Sequence, residues 1–129
     1  MTQRDLSRPI RLCVPAGEQH TLVVSMSLGA LGLLAGLDVD LIGDLTTVSQ
    51  ECVDCLTHQK GAPAAIAVTA CVCDAKLSIC FEAQDRAFDG EADELALEVT
   101  QSVLETLVPE VDIRSDEGGV HAIYCRIPV

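Results

Sequence analysis

The stretch Ala64-Ala-Ile-Ala-Val-Thr-Ala-Cys-Val-Cys-Asp-Ala-Lys-Leu-Ser-Ile-Cys-Phe-Glu-Ala-Gln84 decides the fold. Ile66, Val68 and Val72, then Leu77, Ile79 and Phe81, recur at even spacing in β-branched and Cys-rich surroundings, which predicts two strands. Cys73-Asp-Ala-Lys76 lies between them with turn chemistry at Asp74, so the pair reads as an antiparallel hairpin rather than a crossover. Downstream the pattern repeats: Val111–Arg114 and Val120–Ile127 are joined by Ser115-Asp-Glu-Gly-Gly119, a tight-turn signal. Between the pairs, Asp85–Asp93 reads as a surface loop, and residues 92–108 as a helix with Leu95, Val99, Val103, Leu104 and Leu107 on one face, stopped by Pro109. Upstream, Ile10–Val14 before Pro15 reads as an edge strand, and two helices follow over 18–36 and from Asp38 to about His58. Strands that come in adjacent pairs argue for an α+β fold. The expectation is a two-layer sandwich, a mostly antiparallel mixed sheet of about five strands covered on one face by three helices.

The length of 129 residues suits one domain, expected over 10–129 after a polar, flexible leader at 1–9. A formal net charge of −12 argues against a nucleic-acid backbone or an anionic membrane as partner, because both would be repelled. With 2% aromatic residues and no Trp, bases would also find little to stack on. Thr21–Leu37 contains no charged residue, yet it carries Ser25, Ser27 and glycines and closes at Asp38, short of the about 20 apolar residues a spanning helix needs. It starts too late for a secretory signal and is expected to be a buried helix, with room for a partner subunit to cover it. Seven cysteines without a secretion signal point to a reducing, cytoplasmic setting in which thiols act as small buried hydrophobes.

Asp40–His58 is where polar groups meet an apolar helix. Leu41, Leu45, Val48, Cys52 and Leu56 form its apolar stripe, and Asp44, Glu51, Cys55 and His58 fall on a neighbouring face. Asp38 can cap the helix and Asp40 complements its positive end, while His58 in the last turn complements the negative one. Cys52-Val-Asp-Cys55 has C-x-x-C spacing and Cys71-Val-Cys73 lies on a predicted strand. One pair is mid-helix and the other mid-strand, whereas zinc knuckles use loops and thioredoxin-like thiols open a helix.

With these elements in order, the chain from Arg11 to Arg126 resembles the bacterial anti-sigma factor serine/threonine kinases, histidine-kinase-like ATPases of the Bergerat fold. The resemblance is carried by Leu12-Cys-Val-Pro-Ala16, Gly36-Leu-Asp-Val-Asp40, Ser49-Gln-Glu-Cys-Val-Asp-Cys-Leu-Thr-His58 and Arg114-Ser-Asp-Glu-Gly-Gly119. It implies that Glu51 is the general base, and that Cys55 stands where the family has an Asn holding magnesium on the nucleotide. A thiol suits that hard, oxygen-seeking cation poorly, and Asp54 lies about 100° around the helix. It further implies that Ala83 and Asp85 stand at the adenine-reading Asp-x-Gly positions, followed by Phe88-Asp89 for an aromatic-Asp pair. Shifting the match by two residues offers Asp85 as the reader but puts Ala87 at the Gly. Glu94-Leu-Ala-Leu97, with Glu94 and Ala96, replaces the Gly-rich phosphate turn, and Asp93 adds a second carboxylate where phosphates would sit.

The resemblance therefore implies a degenerate member: a pseudoenzyme of transcription regulation that acts by protein contact, with nucleotide binding lost or weak, no cofactor and no metal. Its expected partners are a sigma factor or an anti-sigma antagonist, and a second copy paired through the first strand and helix, as is common in the family. Two alternatives stand beside it. One is a working serine/threonine kinase that uses Mg-ATP and Glu51; the other is a cysteine-based zinc or redox module.

Overall fold

The computed structural model describes residues 6–129; the first five residues of the expected leader lie outside the described residues. The elements run β1 (Ile10–Pro15), α1 (Glu18–Leu34), α2 (Val39–Thr57), β2 (Ala65–Cys73), β3 (Lys76–Gln84), α3 (Glu94–Leu107), β4 (Glu110–Asp116) and β5 (Gly119–Pro128). The β2–β3 turn is built on Asp74 and Ala75, both left-handed at φ 53° and 59°, as a two-residue hairpin turn requires. β1 pairs with β2 and β3 with β5, giving the order β1-β2-β3-β5-β4 with every described pair antiparallel. α3 carries the chain beyond β3 to the sheet edge, and the β4–β5 hairpin returns to fill the space between. The result is the α+β two-layer sandwich.

Alternation along the strands sends Val14, Ile66, Val68, Ile79, Phe81 and Ile123 toward the helices, where all are buried. A register shift at Arg114/Ser115 skips His121, so Val120 and Ile123 both enter the core although they stand an odd three positions apart. α1 lies close on α2 because Gly32 has no side chain: a Cβ there would meet Leu45 Cδ1 at 2.8 Å. The chain then reverses through Gly36 at φ 89°, with the Leu37 N–H donating to the Gly32 carbonyl at 2.9 Å. Asp38 caps α2, accepting from the Leu41 N–H at 2.9 Å.

Three expectations change. First, α1 is buried on one side only; Leu22, Val23, Met26, Leu33 and Leu34 are exposed. Second, α3 is turned relative to the predicted face. Leu95 and Val99 point to solvent, whereas Leu97 and Thr100 turn inward with the predicted Leu104 and Leu107, followed by the buried Val108 just past the helix. Third, the thiols are not uniformly buried: Cys52, Cys55 and Cys125 are, Cys71 and Cys80 are half-buried, and Cys13 and Cys73 are exposed. Among the described residues no helix is long and apolar enough to cross a membrane.

Candidate functional site

The polar face of α2 meets α3 directly. Glu51 is half-buried, and the fully buried Thr100 of α3 donates its hydroxyl to Glu51 Oε2 at 3.3 Å. One turn further along α2, Cys55 is fully buried. Its pKa is pushed up to about 11, first by burial and then by the negative charge of Asp54, with Glu51 adding a smaller push and Thr100 pulling the other way. The thiol is therefore neutral at ordinary pH. The Thr100 hydroxyl bonded to Glu51 and the neutral Cys55 thiol buried nearby make the α2–α3 junction polar inside an otherwise apolar contact.

Gln59 closes the same helix end from below. Its Nε2 donates to the Cys55 carbonyl at 2.8 Å and lies 3.7 Å from the Cys55 sulfur, while its Oε1 accepts from the Val120 N–H at 3.0 Å. Neither Gln59 nor Thr100 stands out in the sequence. The available signal is positional, a polar residue on an otherwise apolar inward stripe, which requires a buried partner.

The remaining singled-out residues do not converge on this junction. His58 turns away from Glu51 and Cys55 to Asp54, with Nδ1 at 3.2 Å from Oδ1, so the predicted four-residue polar face is split. Cys52 points to β5, where it meets the Cys125 thiol, and burial drives its pKa well up. The C-x-x-C thiols thus face different elements. Ala83 is half-buried and packs against the core on β3. Asp85 is exposed at φ 53°, and its carbonyl accepts from the Ala64 N–H at 3.3 Å. Asp89 in the loop and Glu94 in the first turn of α3 are exposed, and Ala96 lies on α3 with its side chain outside the described residues.

The 85–93 loop is laid along the α2–β2 connection. Ala87 N–H donates to the Ala62 carbonyl at 2.9 Å, Gly90 N–H to Lys60 at 2.9 Å and Asp93 N–H to His58 at 3.3 Å. Arg86 fastens it with two bonds to Asp116, at 2.6 and 2.7 Å, and its guanidinium lies 5.0 Å from the Phe88 ring centre. Arg86 holds the Asp116 carboxyl well below the usual range, with help from the Gly118 N–H.

These residues do not suit Mg-ATP. At the positions that the resemblance would assign to the metal, the adenine and the phosphates stand a buried neutral thiol at Cys55, a methyl group at Ala83 and the carboxylates of Asp93 and Glu94, none of which suits magnesium or phosphate. No model of a known protein family matches the chain, and no curated protein matches it.

Proposed function

We propose that this protein is a regulator similar to anti-sigma factor kinases that works through protein contact and has lost useful nucleotide binding. The observation that carries this reading is the Thr100–Glu51 hydrogen bond at the α2–α3 junction, which leaves Glu51 engaged by Thr100 rather than turned toward a substrate hydroxyl, with the buried Cys55 one turn away on α2. The pinned 85–93 loop supports the same reading, because an ATP lid must move. Its partners are a sigma factor or an antagonist protein, met as a homodimer formed through β1 and α1. The exposed aliphatic stripe of α1 supports that pairing.

The working-kinase alternative keeps Glu51 as base and is separated by one experiment. Calorimetric titration of the full chain with Mg-ATP is expected to give no saturable heat at micromolar nucleotide; clear micromolar binding would overturn the degenerate reading. A zinc or redox module gains little from the thiols, since Cys52 and Cys55 face different elements, and for redox chemistry burial raises both pKa values where a reactive thiolate needs a lowered one.

A further inference from the structure

Among the described residues no helix packs on the face of the sheet away from the core, and the composition of that face is unlike the rest of the molecule. In register across the strands, one row reads Arg11, Thr69, Cys80, Tyr124, Asp112. Rows on either side add Cys71, Ser78, Arg126 and Glu110, and Ala67, Glu82 and Arg114. Together with Lys76, this face holds four of the eight Lys and Arg residues of the chain but only three of its twenty Asp and Glu, Glu82, Glu110 and Asp112. Its balance is +1, against −13 for the remainder. Asp116 at the turn end is tied to Arg86 and changes nothing in that contrast.

Shape follows the same division. Between Lys76 and Glu82, the two middle columns, on β2 and β3, carry the small, half-buried residues Thr69, Cys71, Ser78 and Cys80, which make a floor. Arg11 stands on one side, and Tyr124, Arg126 and Arg114 stand on the other. Three strand spacings separate β1 from β5, roughly 14 Å. That gap admits an α-helix, which is about 10–12 Å across with its side chains. On the β4–β5 side the face hollows into a concavity of about 610 Å³ lined by Glu110, Asp112, Arg114, Tyr124 and Arg126, among others.

The cations keep capacity for a partner. Arg114 donates Nε to Asp112 at 2.7 Å and sits 5.6 Å from the Tyr124 ring centre, leaving its terminal nitrogens outside that bond. Glu110 is engaged by Lys76 at 2.5 Å, whereas Arg126 is 4.0 Å from it, beyond a hydrogen bond. On the floor, the Cys80 thiol donates to Glu82 at 3.2 Å, so that carboxylate is partly satisfied from within the sheet.

From this complementarity we infer that the uncovered sheet face is a docking surface for an acidic amphipathic helix of a partner protein, its apolar stripe on the small-residue floor and its carboxylates on Arg11, Arg114 and Arg126. A small anion would find the cations too dispersed, whereas a nucleic acid, unlike a single helix whose carboxylates can all lie over the face, would extend past it into the −13 of the remaining chain. The inference rests on the fold and not on the nucleotide reading, so Mg-ATP binding would leave it standing.

The probe is a synthetic helix of about 18 residues, with a leucine stripe flanked by glutamates, and its counterpart with lysines for the glutamates. Each is titrated into isotope-labelled full-length protein and followed by amide chemical shifts. The glutamate peptide is expected to move Thr69, Cys71, Ser78, Cys80 and Tyr124, and to lose affinity at about 0.5 M salt. The exposed double substitution Arg11→Glu/Arg126→Glu should weaken it at least about tenfold with the thermal midpoint unchanged. Arg126→Gln serves as a milder variant that lowers affinity in the same direction. Unmoved floor amides, shifts confined to α1, or equal binding of the lysine peptide to this face would overturn the inference.

Discussion

A buried thiol beside two carboxylates has one protonation state across most of the pH scale, and this gives Cys55 a measurable signature. Its folded pKa of about 11 lies above the ordinary value of 9.0 that it regains on unfolding. Below about pH 8 the proton is bound in both states and Cys55 adds no pH dependence. Between the two values the unfolded chain releases its proton first, so stability falls as pH rises, by up to about 2–3 kcal/mol for a two-unit difference. Urea unfolding of wild type and Cys55→Ala should therefore show a shallower alkaline decline in the variant between pH 9 and 11. Parallel declines would mean that Cys55 is not the group involved. At pH 8, iodoacetamide should label exposed Cys13 and Cys73 while sparing Cys55. The Glu51–Cys55 adjacency was legible in the sequence, because four residues on one helix fix it. Thr100 was not, since what makes a Thr on an amphipathic helix matter is the element it faces.

At the scale of elements, the α1–α2 contact depends on the missing side chain of Gly32. An alanine Cβ would lie 2.8 Å from Leu45 Cδ1 and 3.3 Å from Leu37 Cδ1, and Leu45 is fully buried in the core with little room to shift. Overpacking of this kind costs about 1–3 kcal/mol, more than the about 1 kcal/mol that Ala gains over Gly in a helix. Gly29→Ala is the control: its Cβ would sit 3.7 Å from Ile42 Cγ2, an ordinary contact, so propensity should prevail. Denaturant midpoints are expected to fall for Gly32→Ala and to hold or rise for Gly29→Ala; a fall in both would place the effect elsewhere than at Leu45. Hairpins, caps and strand order were legible because turn residues such as Asp74 and Gly118-Gly119 act locally. The rotation of α3 was not. Leu104 and Leu107 of the predicted face do reach the core, but Leu95, Val99 and Val103 compete with Leu97 and Thr100 for the rest of the inward side, and counting apolar residues favours the wrong set. Docking on α2 decides between them, through Leu104 in the core and the Thr100–Glu51 bond.

For the whole molecule, net charge and surface chemistry pull in opposite directions. Two copies at −12 each repel one another, so association must use a part of the surface where that charge is absent. The outer side of α1 meets this condition: Leu22, Met26 and Leu33 are each about two-thirds exposed, Val23 and Leu34 lie beside them, and Glu18 is the sole charged residue of the helix. The β1 edge, outermost in the sheet among the described residues, adjoins it in sequence and carries the exposed Ile10. Multi-angle light scattering is expected to report a mass near twice the 13.7 kDa of the chain. Added salt should hold or strengthen the dimer, because it screens the repulsion and leaves the apolar contact intact. Met26→Glu/Leu33→Glu should shift the equilibrium to monomer without loss of helicity, as both side chains lie outside the core. A wild-type monomer at high concentration would remove the dimer, and a dimer that dissolves with salt would indicate an interface made from charged surface instead of α1.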